Sequence, residues 1–186
     1  MARPLPAPTD AYRGGEAAIF NAESLLESAS AAADKGNFGV AVGLVVLAIE
    51  EAVKARSLFG FLLASRVGAP FGLSDSAFRD ILYRNHALRH ALALWQGMSS
   101  ETHTAWVSGV MPIDEKGRDA LKRDLEIAHW LSEANSAKLR GFYVDFDSGK
   151  WLEPKDVRAE EWKRAVSVAQ PFIEETRRQQ GAAKSL

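Results

Sequence analysis

The chain has 186 residues with 23 Lys and Arg against 24 Asp and Glu, a formal net charge of −1, and 47% of it is hydrophobic. That composition can bury a core in one domain without disulfides or structural metal, and its balanced charge excludes the global basic field of many nucleic-acid binders. Cysteine is absent, which excludes a disulfide scaffold, zinc-ribbon sites and thiol catalysis and fits a reducing cytoplasm.

Residues 1–9 read as a flexible arm, because a single arginine followed by prolines is unlike a secretory signal. The first helix is expected from about Asp10 to Asp34, with Ile19, Ala22, Leu26, Ala29 and Ala33 inward, ending in a Lys35-Gly36-Asn37 turn. A second helix from about Phe38 to Ser65 shows two apolar stripes. Val42, Val46, Ile49 and Val53 make one; Leu44, Leu47, Ala55, Leu58 and Leu62 make the other, with Glu51 inside it. A helix apolar on two faces belongs at the centre of its bundle. Its most apolar run, Phe38 to Ile49, meets Glu50 and Glu51 well short of the ~20 residues a membrane helix needs, so no membrane is expected.

After the loop Gly68 to Gly72, Ser74 or Asp75 can cap a third helix that the pattern carries unbroken to about Gly97, with Phe78, Ile81, Leu82, Leu88 and Leu92 as its core stripe. A fourth is expected from Asp114 to about Arg140-Gly141, with Leu121, Leu125, Ala128 and Leu139 inward. Residues Phe142 to Phe146 alternate at period two and Asp147-Ser148-Gly149 can turn, which predicts a small hairpin. The last helix should start near Asp156, and Pro171 should kink or interrupt it. The expectation is an all-α bundle of four to five helices with a short extended segment near 142–152. Residues 10–180 form one domain in this reading, and 181–186 a tail.

Polar residues inside apolar stripes locate the chemistry. A carboxylate at Glu51 is costly there unless a cation or donors meet it. Lys54 lies about 60° round the helix from it, and Glu50 with Lys54 has the i, i+4 spacing of an ordinary surface pair. Partners for Glu51 are offered by the third helix, where Asn85 and Arg89 lie within the apolar stripe and His86 at its edge. Such a cluster either fixes helix register as a structural network or forms a site.

Metal patterns fail. His86 and His90 are four apart, but Ala87 stands where a zinc-protease helix carries its glutamate. Glu126-Ile127-Ala128-His129 has a di-iron spacing without the second copy such a centre needs. No metal or cofactor is expected. The tryptophans at 95, 106, 130, 151 and 162 read as core or interface, and Trp130 with His129 sits off the main stripe of the fourth helix, where a partner could bind.

Several segments, taken in order, carry a resemblance: Asn21-Ala22-Glu23-Ser24-Leu25-Leu26, Gly36-Asn37-Phe38 leading to Ala48-Ile49-Glu50-Glu51-Ala52-Val53-Lys54, then Tyr83-Arg84-Asn85-His86 with Arg89, and Leu139-Arg140-Gly141-Phe142-Tyr143-Val144-Asp145-Phe146 with Pro154. Together they resemble the AbiV family of abortive-infection proteins. The chain departs from that pattern at Ala52-Val53, where Leu-Gly is usual, and at His90, where an apolar residue is common. The resemblance implies a HEPN-type bundle, many of whose members are metal-independent ribonucleases with an arginine, a polar residue and a histidine four to six residues on. Arg84, Asn85 and His90 match that string, as do Arg79, Asp80 and His86. On an unbroken helix, Arg84 and His90 would lie about 240° apart.

The implied reaction is attack of an RNA 2′-hydroxyl on the adjacent phosphate. It needs a proton acceptor, a proton donor and positive charge. His86 is expected as the main acid/base, with Arg84 and Asn85 on phosphate and His90 as an alternative or second histidine. Tyr143 and Asp145, on one side of the alternating segment, either cover this site or cap the core. Expected partners are RNA, a second copy of the chain, and a phage or host protein. Two competing readings are a non-catalytic effector that blocks translation or another host process by binding, and a purely structural helical module.

Overall fold

The computed structural model describes residues 5–112 and 114–185. Helix α1, Pro8–Asp34, takes in part of the expected N-terminal arm; residues 1–4 of that arm lie outside the described residues. Ile19, Ala22 and Ala29 are buried as the spacing predicts. The helix ends at Lys35, and Gly36 turns the chain at φ 77°, a conformation glycine adopts without a Cβ penalty.

Helix α2, Phe38–Arg66, is the axis of the molecule and packs against α1 and the later helices. Its centrality is borne out, and so is most of both stripes: Val42, Val46, Ile49, Val53, Ala55, Leu58 and Leu62 are buried. The difference lies around the carboxylate. Leu44 and Leu47 are only partly buried, on the same stripe as Glu51 and Lys54, whereas Gly43, Val46, Glu50, Val53 and Ser57 are all buried. The carboxylate taken into the interior is therefore Glu50, not Glu51. In a helix this apolar, periodicity does not distinguish a packed face from a half-exposed one.

The single third helix expected from Ser74 to Gly97 is two helices, α3 (Asp75–Tyr83) and α4 (His86–Gly97). A further helix, α5 (Ser100–Ser108), was not anticipated. Its signals are short-range: the Ser99 side chain accepts from Thr102 N–H, and Gly109 ends it in the left-handed region at φ 69°. Helix α6, Glu115–Phe142, is capped by Asp114. Its inner face is rotated from the one expected: Leu125 is 60% exposed, whereas Trp130, off the expected stripe, is 6% exposed and so belongs to the core. Ala120, Leu131, Ala134, Ala137 and Gly141 are buried and Leu139 is exposed. Small residues, rather than leucines, let α6 approach α2.

Strands β1 (Asp145–Asp147) and β2 (Lys150–Leu152) form the expected hairpin, paired Phe146 to Trp151. A single turn of helix at Pro154–Asp156 leads to α7, Ala159–Ser185. This last helix runs through Pro171, which lies on its exposed side, where water can serve the Ser167 carbonyl freed by the missing N–H. It also includes most of the expected tail; Leu186 lies outside the described residues. The all-α class holds, with seven α-helices among the described residues rather than four to five.

The approach of α6 to α2 is set by glycine. A Cβ on Gly141 would stand 2.3 Å from the Gly39 carbonyl oxygen, and one on Gly43 would stand 2.8 Å from the Phe142 ring. Lys138, almost one turn before Gly141, reaches Glu50, so the two helices run antiparallel.

Candidate active site

Asn85 creates the site by ending one helix and starting another. Its side chain accepts from Leu88 N–H at 2.9 Å, and the N–H groups of Arg84 and Asn85 both donate to the Asp80 carbonyl, at 3.0 and 2.8 Å. A short amide side chain competes for backbone hydrogen bonds in this way, so α3 stops and α4 restarts with His86 as its first residue. The angular separation of Arg84 and His90 on an unbroken helix therefore does not apply.

Four basic side chains converge on Glu50, which is 1% exposed. His86 Nδ1 lies 2.5 Å from Oε2, and Arg89 Nη1 donates to the same oxygen at 3.2 Å. On Oε1, His90 Nε2 stands at 3.2 Å and Lys138 Nζ at 2.8 Å. Lys138 Nζ is also 3.4 Å from His86 Nδ1. Arg89 does a second job: its Nε donates to the Ile81 carbonyl at 2.7 Å and its Nη2 to the Leu82 carbonyl at 3.4 Å, satisfying acceptors at the end of α3.

Burial, the largest single influence, pushes the Glu50 carboxyl up. The hydrogen bonds from His90, Lys138 and His86, with the Lys138 charge, together outweigh it and hold the group at about 2 against an ordinary 4.5. An ionised carboxylate can only accept, so His86 Nδ1 and His90 Nε2 are donors here. Neutral His86 then carries its lone pair on Nε2, and with its side chain 49% exposed the ring has one nitrogen anchored inside and an edge in solvent. His90, at 8%, is enclosed.

A buried carboxylate that fixes the tautomer of a solvent-facing histidine, beside the first turn of a helix, is an acid/base arrangement. The family model HEPN_AbiV, described as AbiV, matches residues 10–175. The chain belongs to the AbiV family. No curated protein and no solved structure matches it.

Membership makes this an abortive-infection protein of HEPN type. Within this AbiV-family chain the structure brings together His86, Arg89 and His90 of the residues singled out from sequence, around Glu50 instead of Glu51. Glu51 is half-buried and ion-paired with Lys54, on a cleft that Tyr83 also lines between α1 and α2. The pairing expected for Glu50 with Lys54 thus belongs to Glu51. Arg84, at the end of α3, is exposed next to His86, and Asn85 spends its carbonyl oxygen on the helix cap. Tyr143 and Asp145 are both exposed, and Asp145 Oδ1 accepts from Phe146 N–H in the hairpin; the hydrogen bonds and ion pairs of the Glu50 cluster come from His86, Arg89, His90 and Lys138 instead.

Lys138 was missed. It stands on α6 between Ala134, Ala137 and Gly141, a cation in a stripe of small buried residues, which is the anomaly that Glu50 presents on α2. Reading the inward stripe through the leucines hid it. Among the described residues no group of three or more His, Asp or Glu side chains is placed to hold a metal ion. No helix among them is long and apolar enough to cross a membrane.

Proposed function

We propose that this AbiV-family protein acts in anti-phage defence as a metal-independent endoribonuclease toxin, with His86 as its acid/base. The observation that carries this reading is the half-exposed His86 ring held through Nδ1 by the buried Glu50 carboxylate.

In the reaction, Nε2 of neutral His86 accepts the proton of an RNA 2′-hydroxyl as the 2′-oxygen attacks the adjacent phosphorus. The bond from phosphorus to the 5′-oxygen breaks, and the imidazolium returns its proton to that oxygen. The products are a 2′,3′-cyclic phosphate and a 5′-hydroxyl. Glu50 stabilises the imidazolium that forms between the two transfers, as an orienting carboxylate does in other histidine sites. Arg84, exposed beside His86, supplies positive charge to the phosphate. The first N–H groups of α4 have no intrahelical acceptor and add to that field. Arg89, His90 and Lys138 are positioning residues that hold Glu50 and, through it, His86. A homodimer in the cytoplasm would let two such sites face one RNA strand.

The test is cleavage of RNA in EDTA by wild-type and His86→Ala protein, with end-group analysis. Wild-type cleavage leaving cyclic phosphate ends, and its loss in the variant at unchanged fold, supports the assignment. Equal cleavage by both proteins removes it.

A second reading has its own observation. Trp106, Val107, Val110 and Met111, around the end of α5, are all exposed, a run of large apolar side chains of the kind found at interaction surfaces. It favours an effector that acts by binding a phage or host protein. Toxicity that persists in an Arg84 and His86 double variant would select it.

A further inference from the structure

An open cleft of about 430 Å³ lies between α1, α2 and the end of α3. Two of its lining residues tie it to the Glu50 cluster. Tyr83 is three residues before His86, and Glu51 follows the Glu50 carboxylate that holds His86 Nδ1. Arg84, which is exposed, stands between Tyr83 and His86 in the chain. The cleft is of a size that takes a small ligand or one base of a larger one.

Three features define what it would hold. Its α1 wall is made of small residues, Gly14, Ala17 and Ala18, which leave room for a flat ring. Tyr83, 39% exposed, brings an aromatic side chain to the lining. The charged groups from α2 are a pair, Glu51 and Lys54, whose side chains are only 19% and 21% exposed. Lys54 Nζ donates to Glu51 Oε1, so the ammonium charge is already met and the pair is neutral as a whole. A phosphate here would find no spare cation in Lys54 and would meet Asp10, another lining residue. An uncharged base meets neither obstacle.

On the basis of the nuclease reading, we propose that this cleft takes a guanine adjoining the scissile phosphate, stacked on Tyr83, with Glu51 and Lys54 reading its Watson–Crick edge. Single-stranded RNA is recognised in this manner, by stacking on aromatic side chains and by hydrogen bonds to base edges. Guanine alone among the four bases presents two N–H donors side by side, N1–H and the 2-amino group, next to a carbonyl oxygen. A carboxylate accepts from both donors at once, and the ammonium beside it donates to the carbonyl. Uracil sets a single N–H between two carbonyls, and adenine and cytosine place an acceptor nitrogen where guanine has N1–H, so each would turn a lone pair toward Glu51. The order along the chain matches one nucleotide: Tyr83 for the base, Arg84 for the phosphate, His86 for the proton transfers.

The experiment is equilibrium binding of fluorescein-labelled 2′-O-methyl trinucleotides UGU, UIU and UAU, where I is inosine, to the full chain as wild type, Glu51→Gln and Tyr83→Ala, beside cleavage of the matching RNAs. The methyl groups block attack by the 2′-oxygen, so binding reads the cleft whether or not the chain cuts RNA. Wild type should bind UGU about tenfold or more tighter than UAU, with UIU, which lacks the 2-amino group, between them. Glu51→Gln should bring UGU and UAU to within about twofold of each other. Tyr83→Ala should weaken both by about tenfold and leave their ratio unchanged. No guanine preference in wild type, or a preference that Glu51→Gln leaves intact, overturns the proposal. Guanine preference in binding with no cleavage of any RNA supports the cleft and removes the nuclease reading alone; cleavage by wild type without base preference does the reverse.

Discussion

His86 donates through Nδ1 to the buried Glu50 carboxylate at 2.5 Å, and this contact points the other nitrogen of a half-exposed ring away from the core. The two residues are 36 apart in the chain and lie on different helices. Their meeting depends on the break at Asn85 and on the packing of α4 beside α2.

His86 and His90 should separate chemistry from support. His86→Ala should lower RNA cleavage by about 100-fold or more while leaving Tm within a few degrees, because the ring is half in solvent. His90→Ala removes an enclosed donor to Glu50 and should cost about 1–3 kcal/mol of stability. Urea unfolding beside a cleavage assay checks both; a stable, fully active His86→Ala protein would refute the assignment.

Glu50→Gln should destabilise the fold by about 3–5 kcal/mol, since it leaves Arg89 and Lys138 buried without their counter-charge. Glu51→Gln, which loses only a half-buried pair with Lys54, should cost about 1 kcal/mol or less. Comparable losses from the two substitutions in chemical denaturation would contradict the burial difference described above.

Acid should act through the same group. A carboxyl held at about 2 in the fold and near 4.5 when unfolded contributes stability that is complete above pH 4.5 and is lost as pH falls from 4.5 toward 2. Wild-type unfolding free energy should therefore fall more steeply than that of Glu50→Gln across this window. Parallel curves would show that Glu50 does not titrate as argued.

Asn85→Ala removes the acceptor for Leu88 N–H and should cost about 1 kcal/mol. Because the cap also defines where α4 begins, cleavage should fall more than stability alone explains. Histidine chemical shifts in NMR spectra of the variant would report whether His86 has left Glu50; an unchanged His86 environment would count against the capping argument.

Gly141→Ala would place a Cβ 2.3 Å from the Gly39 carbonyl oxygen, so α6 must move off α2. Overpacking of this kind typically costs about 1–3 kcal/mol, and it should draw Lys138 away from Glu50. The control is Gly181→Ala on α7, where nothing lies within contact distance; a larger loss there would overturn the close-approach account.

Local rules made the helical elements legible. The apolar periodicity of α1 and α2, the Gly36 turn, the Ser74 and Asp114 caps and the hairpin turn at Ser148-Gly149 are each written within a few neighbouring residues. The same neighbourhood rules marked Asn85 and Arg89 as polar residues in an apolar stripe, with His86 at its edge, whereas His90 was singled out through the family resemblance. They also contained the Asn85 cap and the Ser99 and Gly109 boundaries of α5, which periodicity alone passed over.

Which carboxylate goes inside was beyond them. Glu50 and Glu51 are adjacent, about 100° apart on one helix, and α2 offers apolar neighbours to both. Only the docking of α4 and α6 decides between them, by bringing His86, Arg89, His90 and Lys138 to one and leaving the other to Lys54 at the edge. Helix formation answers to residues three and four apart, whereas burying a charge requires partners that are distant in the chain, and tertiary packing alone supplies them.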